Sequence, residues 1–168
     1  MQTEFDIKIN DRDLFLFQIY NAYHGTQGWA ALILAGVAIA MYCTKFGQVP
    51  MGYSILYLVF AVVFALYIPV SLFLQAKAQF KRTKAFQNAM RYSLGEDGID
   101  ITAGEEKGQL PWNMVYKVVC TKEYLYIFGS RVNAYIIPIN QIVDKKEDIK
   151  VVLCDKVESF RLKIKALL

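Results

Sequence analysis

Between Gly25 and Ala76 the only charged side chain is Lys45, so two long apolar stretches follow one another with a short break between them. A spanning helix needs about 20 mostly apolar residues to cross roughly 30 Å of hydrocarbon. Met51 to Leu74 meets that length. The first stretch is apolar from Trp29 to Cys43 and reaches full length with Thr26, Gln27 and Thr44 at its interfaces. Gly47, Pro50 and Gly52 punctuate the chain where it must reverse. The expectation is a transmembrane hairpin. Its alternative, two buried helices of a soluble domain, leaves few residues to cover them in a chain of 168.

The flanks orient the hairpin. Lys77, Lys81, Arg82, Lys84 and Arg91 follow the second stretch with no acid before Glu96, whereas the turn from Lys45 to Pro50 holds one cation. The positive-inside rule then predicts both termini in the cytoplasm. The same five cations are candidates for contact with anionic lipid or a partner, because a basic juxtamembrane cluster is attracted to an anionic leaflet. The plainer reading is a topogenic signal on a solvated face. The net charge of +4 lies largely in this cluster, so no nucleic-acid footprint is indicated.

Within the first stretch, Ala31 and Ala35, then Gly36 and Ala40, recur every four residues. Small residues at that spacing let a neighbouring backbone approach closely. The second helix is the expected neighbour, and the same face also suits a homodimer. Pro69 is expected to bend the second helix. No Asp, Glu, Lys or Arg sits inside either span, where such groups mark ion or proton paths. His24, at the membrane edge, is expected to pack at a helix end.

Helical spacing continues through Ala76, Phe80, Thr83 and Met90, predicting one helix from Met51 to about Met90. From Arg91 the period becomes alternating. Tyr92 and Leu94, then Ile99 and Ile101, flank Gly95-Glu96-Asp97-Gly98, a hairpin signal. A polar loop is expected over Gly104 to Gly108, then strands at Gln109–Trp112, Val115–Thr121, Glu123–Phe128 and Arg131–Ile137. Asp144 and Glu147 have capping-box spacing. Behind them Ile149, Val152, Leu153, Val157, Phe160, Ile164 and Leu167 form an apolar stripe, predicting a closing helix. Phe160 to Lys165 also alternates strictly, which leaves a strand pair open as the alternative. At the other end Phe5, Ile7 and Ile9 alternate with polar residues and predict a strand added to the C-terminal sheet. A helix capped by Asp11 follows.

The expected organisation is therefore α+β. Residues 1–24 form a strand and helix, 25–90 a two-helix transmembrane hairpin with a basic extension, and 91–168 a cytoplasmic antiparallel β meander with a C-terminal helix. These elements, together with Leu110-Pro111-Trp112 up to Val115 and the later Ile136 to Pro138, resemble the YcxB-like family of bacterial membrane proteins. The resemblance implies the bacterial cell membrane and a tail similar to pleckstrin-homology-like domains. It carries over no catalytic residues. The segment Ile139 to Ile142 departs from the family pattern.

Trp112 and Pro138 are expected to close the core and end a strand, and Glu105 and Glu106 to lie in a solvated loop. Cys43, Cys120 and Cys154 have no metal-ligand spacing, and a single histidine excludes multi-histidine metal sites. No phosphate-cradling loop, zinc-protease or nucleophile-elbow motif is present, and no cofactor is implied. The function expected is a non-enzymatic membrane protein whose cytoplasmic module binds a protein, peptide or lipid headgroup. An immunity protein against a toxin is the alternative, and an oligomeric channel subunit a second.

Overall fold

The computed structural model describes residues 3–25, 27–83, 86, 88–104 and 106–164. The chain divides into two compact units, one of residues 1–14 and 79–168, the other of 15–78. Helix α1 (Asp11–His24) and helix α3 (Met51–Arg82) run from one unit into the other.

In the first unit, strand β1 (Thr3–Ile7) pairs antiparallel with β2 (Met90–Leu94), setting Phe5 opposite Tyr92 and Ile7 opposite Met90. Phe5 and Ile7 turn inward while Glu4 and Asp6 face water, the period-2 pattern of a strand covered on one face. β3 (Gly98–Ala103) and β4 (Glu106–Pro111) complete an antiparallel sheet in the order β1-β2-β3-β4. The β2–β3 turn is closed by Gly95 N–H donating to Gly98 O at 2.9 Å. A Cβ on Gly98 would lie 2.5 Å from Leu110 O and 2.9 Å from the Pro111 Cα, so that position tolerates only glycine at this strand spacing.

A single 3-10 turn, Trp112–Met114, leads to a second sheet of β5 (Lys117–Cys120), β6 (Tyr124–Phe128), β7 (Ala134–Pro138) and β8 (Leu162–Lys163), ordered β7-β6-β5-β8. All five residues of β6 are buried, as for a strand covered on both faces. Helix α4 (Lys146–Lys156) buries Ile149, Val152 and Leu153. The unit is thus α+β with antiparallel sheets, and its core includes Tyr92, Leu94, Ile99, Leu125, Phe128, Ile137 and Ile149.

Several boundaries differ from expectation. α3 ends at Arg82, so its 32 residues span about 48 Å at 1.5 Å per residue, and Met90 opens β2 because pairing with Ile7 overrides its helical spacing. The polar loop shrinks to a turn around Gly104 (φ 65°), since Glu106 and Lys107 pair through their backbones with Ala103 and Thr102 at an exposed edge. α4 stops at Lys156. Val157 takes an extended conformation, and Phe160 is 73 % exposed rather than part of one helical stripe. A 3-10 turn follows, and β8 then runs parallel to β5, so the meander is not purely antiparallel. Leu167 lies outside the described residues.

Caps also differ. Lys145, not Asp144, precedes α4, and no side chain caps it. At α1 the reciprocal half of a capping box forms one residue earlier than expected: Asn10 N–H donates to Asp13 Oδ2 at 2.8 Å.

In the second unit, α2 (Gln27–Lys45) and α3 are joined by a short turn. The buried positions are mostly small residues: Gly28, Ala35 and Ala38 on α2, and Ser54, Ala61, Ile68 and Ala76 on α3. α1 meets α3 through an edge-to-face contact of Phe15 and Phe73 at 5.6 Å. His24 stacks on Tyr20 at 3.9 Å and hydrogen-bonds its carbonyl, a helix-end contact. The remaining faces of α2 and α3 expose Trp29, Ile33, Val62, Tyr67 and Leu74.

Candidate functional site

Of the five cations singled out by sequence, Lys77, Lys81 and Arg82 are exposed on the last turns of α3, with Lys77 and Lys81 four residues apart on one face. Lys84 lies outside the described residues. Arg91 is elsewhere, on the outer face of β2, where its guanidinium pairs with Asp6 at 3.0 Å. The Arg91 hydrogen bond holds the Asp6 carboxyl below its ordinary value. Arg91 is thus a neutralised cross-strand partner rather than a member of the α3 cluster. Of the small-residue candidates, Ala35 is buried and Ala31 half-buried, whereas Gly36 and Ala40 are exposed and nothing lies within 4 Å of a Cβ built on Gly36.

Among the described residues, two concavities of the first unit bring polar side chains together. One, of about 390 Å³, is lined by Asn10, Asp13, Glu123, Tyr124, Asn140 and Gln141. Tyr124 O–H donates to Asp13 Oδ1 at 2.7 Å, tying the first turn of α1 to β6. Burial, then the bond to Asp13, pushes the Tyr124 hydroxyl well above its usual range. Gln141 completes the rim as a backbone mimic: its carbonyl accepts from Lys8 N–H and its amide donates to Lys8 O, both at 2.8 Å. Its polar groups are committed to holding β1 and α1 to the second sheet, which makes this concavity a structural joint.

The other is a broader groove of about 510 Å³ where the β4–β5 connection meets the turn before β8. Met114, Tyr116 and Phe160 line it and are 63 %, 47 % and 73 % exposed. Lys117, Arg161 and Lys163 supply three cations, and no carboxylate lines the groove. Arg161 fastens the floor: its Nη1 donates to Val115 O at 3.0 Å, and its Nε pairs with Glu158 at 3.2 Å. Lys117 Nζ rests 4.3 Å from the Phe128 ring centroid. Lys163 has no ion-pair partner among the described residues.

None of the three cations was singled out from the sequence. They sit on two segments far apart in the chain, which the parallel β5–β8 pairing and the Arg161 bond to Val115 O bring together.

Elsewhere, Trp112 is buried and its indole N–H donates to Gly95 O at 3.1 Å, a core closure. Pro138 ends β7, at the sheet edge. Glu106 starts β4, and Glu105 lies outside the described residues. Among the described residues no group of three His, Cys, Asp or Glu could hold a metal. The three cysteines are free, and burial raises the Cys120 thiol pKa.

Residues 94–152 match the family model described as YcxB-like protein. The YcxB-like segment begins on the last residue of β2 and ends within α4, so it holds Met114, Tyr116 and Lys117 of the groove but not Phe160, Arg161 or Lys163. It also excludes β1 and both long apolar helices. No curated protein matches the chain, and no solved structure does.

Proposed function

We propose that this chain is an integral protein of the bacterial inner membrane whose sheet-containing unit, a pleckstrin-homology-like cytoplasmic module, binds a protein, peptide or lipid headgroup and catalyses no reaction. The observation that carries this reading is the surface of α2 and α3. Ile33, Tyr67 and Leu74 are each more than 60 % exposed on helices long enough to cross a bilayer. Water would leave a continuous apolar surface of this length uncovered, whereas hydrocarbon covers it and the helices satisfy their own backbones.

Sheet pairing supports a paired crossing. β1 and β2 are neighbours in one sheet, so between Ile7 and Met90 the chain crosses twice or not at all. A single crossing would put the partners on opposite sides. The cations Lys77, Lys81 and Arg82 at the end of α3, against Lys45 alone at the turn, favour a cytoplasmic module. Two sheets with a helix between β7 and β8, together with the YcxB-like match, support the module assignment.

Cys154 provides the test, because it is exposed in the first unit. With Cys43→Ser and Cys120→Ser in place, the protein is expected to stay in membranes through alkaline carbonate extraction. A membrane-impermeant maleimide is expected to label Cys154 in inverted vesicles but not in sealed spheroplasts. Extraction into the carbonate supernatant, or labelling from outside, overturns the proposal.

A further inference from the structure

The geometry points to the groove between the β4–β5 connection and β8 as a docking surface for an anionic lipid bilayer, with Met114, Tyr116 and Phe160 entering the headgroup boundary and Lys117 and Lys163 meeting lipid phosphates. This inference rests on the membrane-anchored reading and names the ligand of the anchored module. Its residues are other than the juxtamembrane cations of α3.

Three observations select a bilayer as the occupant. First, side-chain type converges: among the described residues of this unit, Tyr116 and Phe160 are the exposed aromatics of the large hydrophobic class, and both line this one groove beside Met114. Scattered exposed apolar residues need no explanation, but a cluster rimmed by polar groups marks an interaction surface. Second, the charge has one sign. The lining holds three cations and no carboxylate, and Glu158 pairs with Arg161. Aromatic side chains flanked by lysines are the composition of segments that lie in the plane of a membrane interface. Third, the chain itself carries two helices apolar enough to cross a bilayer, which holds the groove at high effective concentration near headgroups.

The lining is also built to stay open. Arg161 pins the 3-10 turn Ser159–Arg161 to the loop carrying Met114 and Val115 through Val115 O, so Phe160 is held outward rather than folded back over the core. Lys117 lines the groove and is held over the Phe128 ring. Each cation near an anionic surface strengthens association severalfold, and Lys117 and Lys163 together contribute about thirtyfold.

The test uses the full chain reconstituted in nanodiscs of phosphatidylcholine alone or of phosphatidylcholine with phosphatidylglycerol. The readout is amide hydrogen exchange by mass spectrometry of peptides covering residues 113–117 and 159–163. Anionic discs are expected to slow exchange there about tenfold relative to zwitterionic discs. The difference should disappear in the Lys117→Glu, Lys163→Glu double variant and shrink in Phe160→Ser. Unchanged exchange across β6 in each variant confirms that the fold survives. Equal exchange in the two discs overturns the inference, including equal protection in both, which would assign the groove to a second copy of the chain or another protein. Failure of the chain to enter discs at all refutes the anchored reading instead, so the two failures are distinguishable.

Discussion

Two tyrosines in the first unit should respond to the same deletion with opposite sign. Tyr124 donates its hydroxyl to Asp13 at 2.7 Å in a buried setting, and Asp13 holds Asn10 N–H with its other oxygen. Tyr124→Phe removes one donor from a carboxylate that is 8 % exposed. A hydrogen bond to a charged group contributes about 1.5–3 kcal/mol, so a loss of about 2 kcal/mol is expected. Tyr92 is 1 % exposed, its ring stacks on Phe5 at 5.5 Å, and its hydroxyl meets no hydrogen-bond partner among the described residues. Tyr92→Phe keeps the ring and removes a buried oxygen whose desolvation nothing offsets. A gain of about 1 kcal/mol follows. With two units in one chain, a single global midpoint is a poor readout. Native-state hydrogen exchange of the slowest amides in β6 is the better assay, where about 1.4 kcal/mol corresponds to tenfold in rate. Tyr124→Phe should speed those amides roughly thirtyfold, and Tyr92→Phe should slow them about fivefold. Changes of the same sign in both variants would refute the assignment of partnered and unpartnered hydroxyls.

Gly98→Ala should destabilise the first sheet by about 1–3 kcal/mol, because the added carbon meets the backbone of Leu110 and Pro111, which cannot swing aside as a side chain would; exchange of the β3 and β4 amides reads the effect, and protection equal to the parent chain would contradict the close approach. Stability should hold up to about pH 10 and fall above it. Burial raises the Tyr92 and Tyr124 hydroxyls, so the fold favours their neutral forms; this contribution is intact below the unfolded value and lost as pH rises through the folded one. Alkaline exchange profiles of the parent and the Tyr92→Phe, Tyr124→Phe double variant check this, with a shallower fall expected in the variant.

The sequence made visible those elements whose side chains alone determine them. α2 and α3 were legible because charge is absent for so long. β2 and β3 were legible because Tyr92, Leu94, Ile99 and Ile101 alternate about an Asp-Gly turn, and β1 because Phe5, Ile7 and Ile9 do the same. β4 was legible only from Gln109 onward, since Glu106 to Gly108 face solvent and are held by backbone bonds that leave no hydrophobic signature. The C-terminal segment satisfied two periods at once. Val157 belongs to the core after the helix has ended, while Phe160 points outward, so the apparent stripe joined residues from unlike environments. The capping signals misled for a related reason: Asp144 and Glu147 have the right spacing but Asp144 lies within a 3-10 turn, whereas Asn10 and Asp13, not Asp11, make half of a capping box. The groove was invisible because Met114 and Phe160 approach through a parallel strand pairing and the Arg161 bond to Val115 O, which sequence periodicity does not encode.

The pairing of β1 with β2 also bears on how the molecule is made. Thr3–Ile7 is synthesised before both long helices, yet its partner Met90–Leu94 emerges only after them. In the interval the early strand has an unsatisfied edge, and docking it is the slow, non-local step of assembly. On the proposed membrane reading, any delay in helix insertion prolongs the life of an aggregation-prone intermediate, which ties the yield of folded protein to the capacity of the insertion machinery.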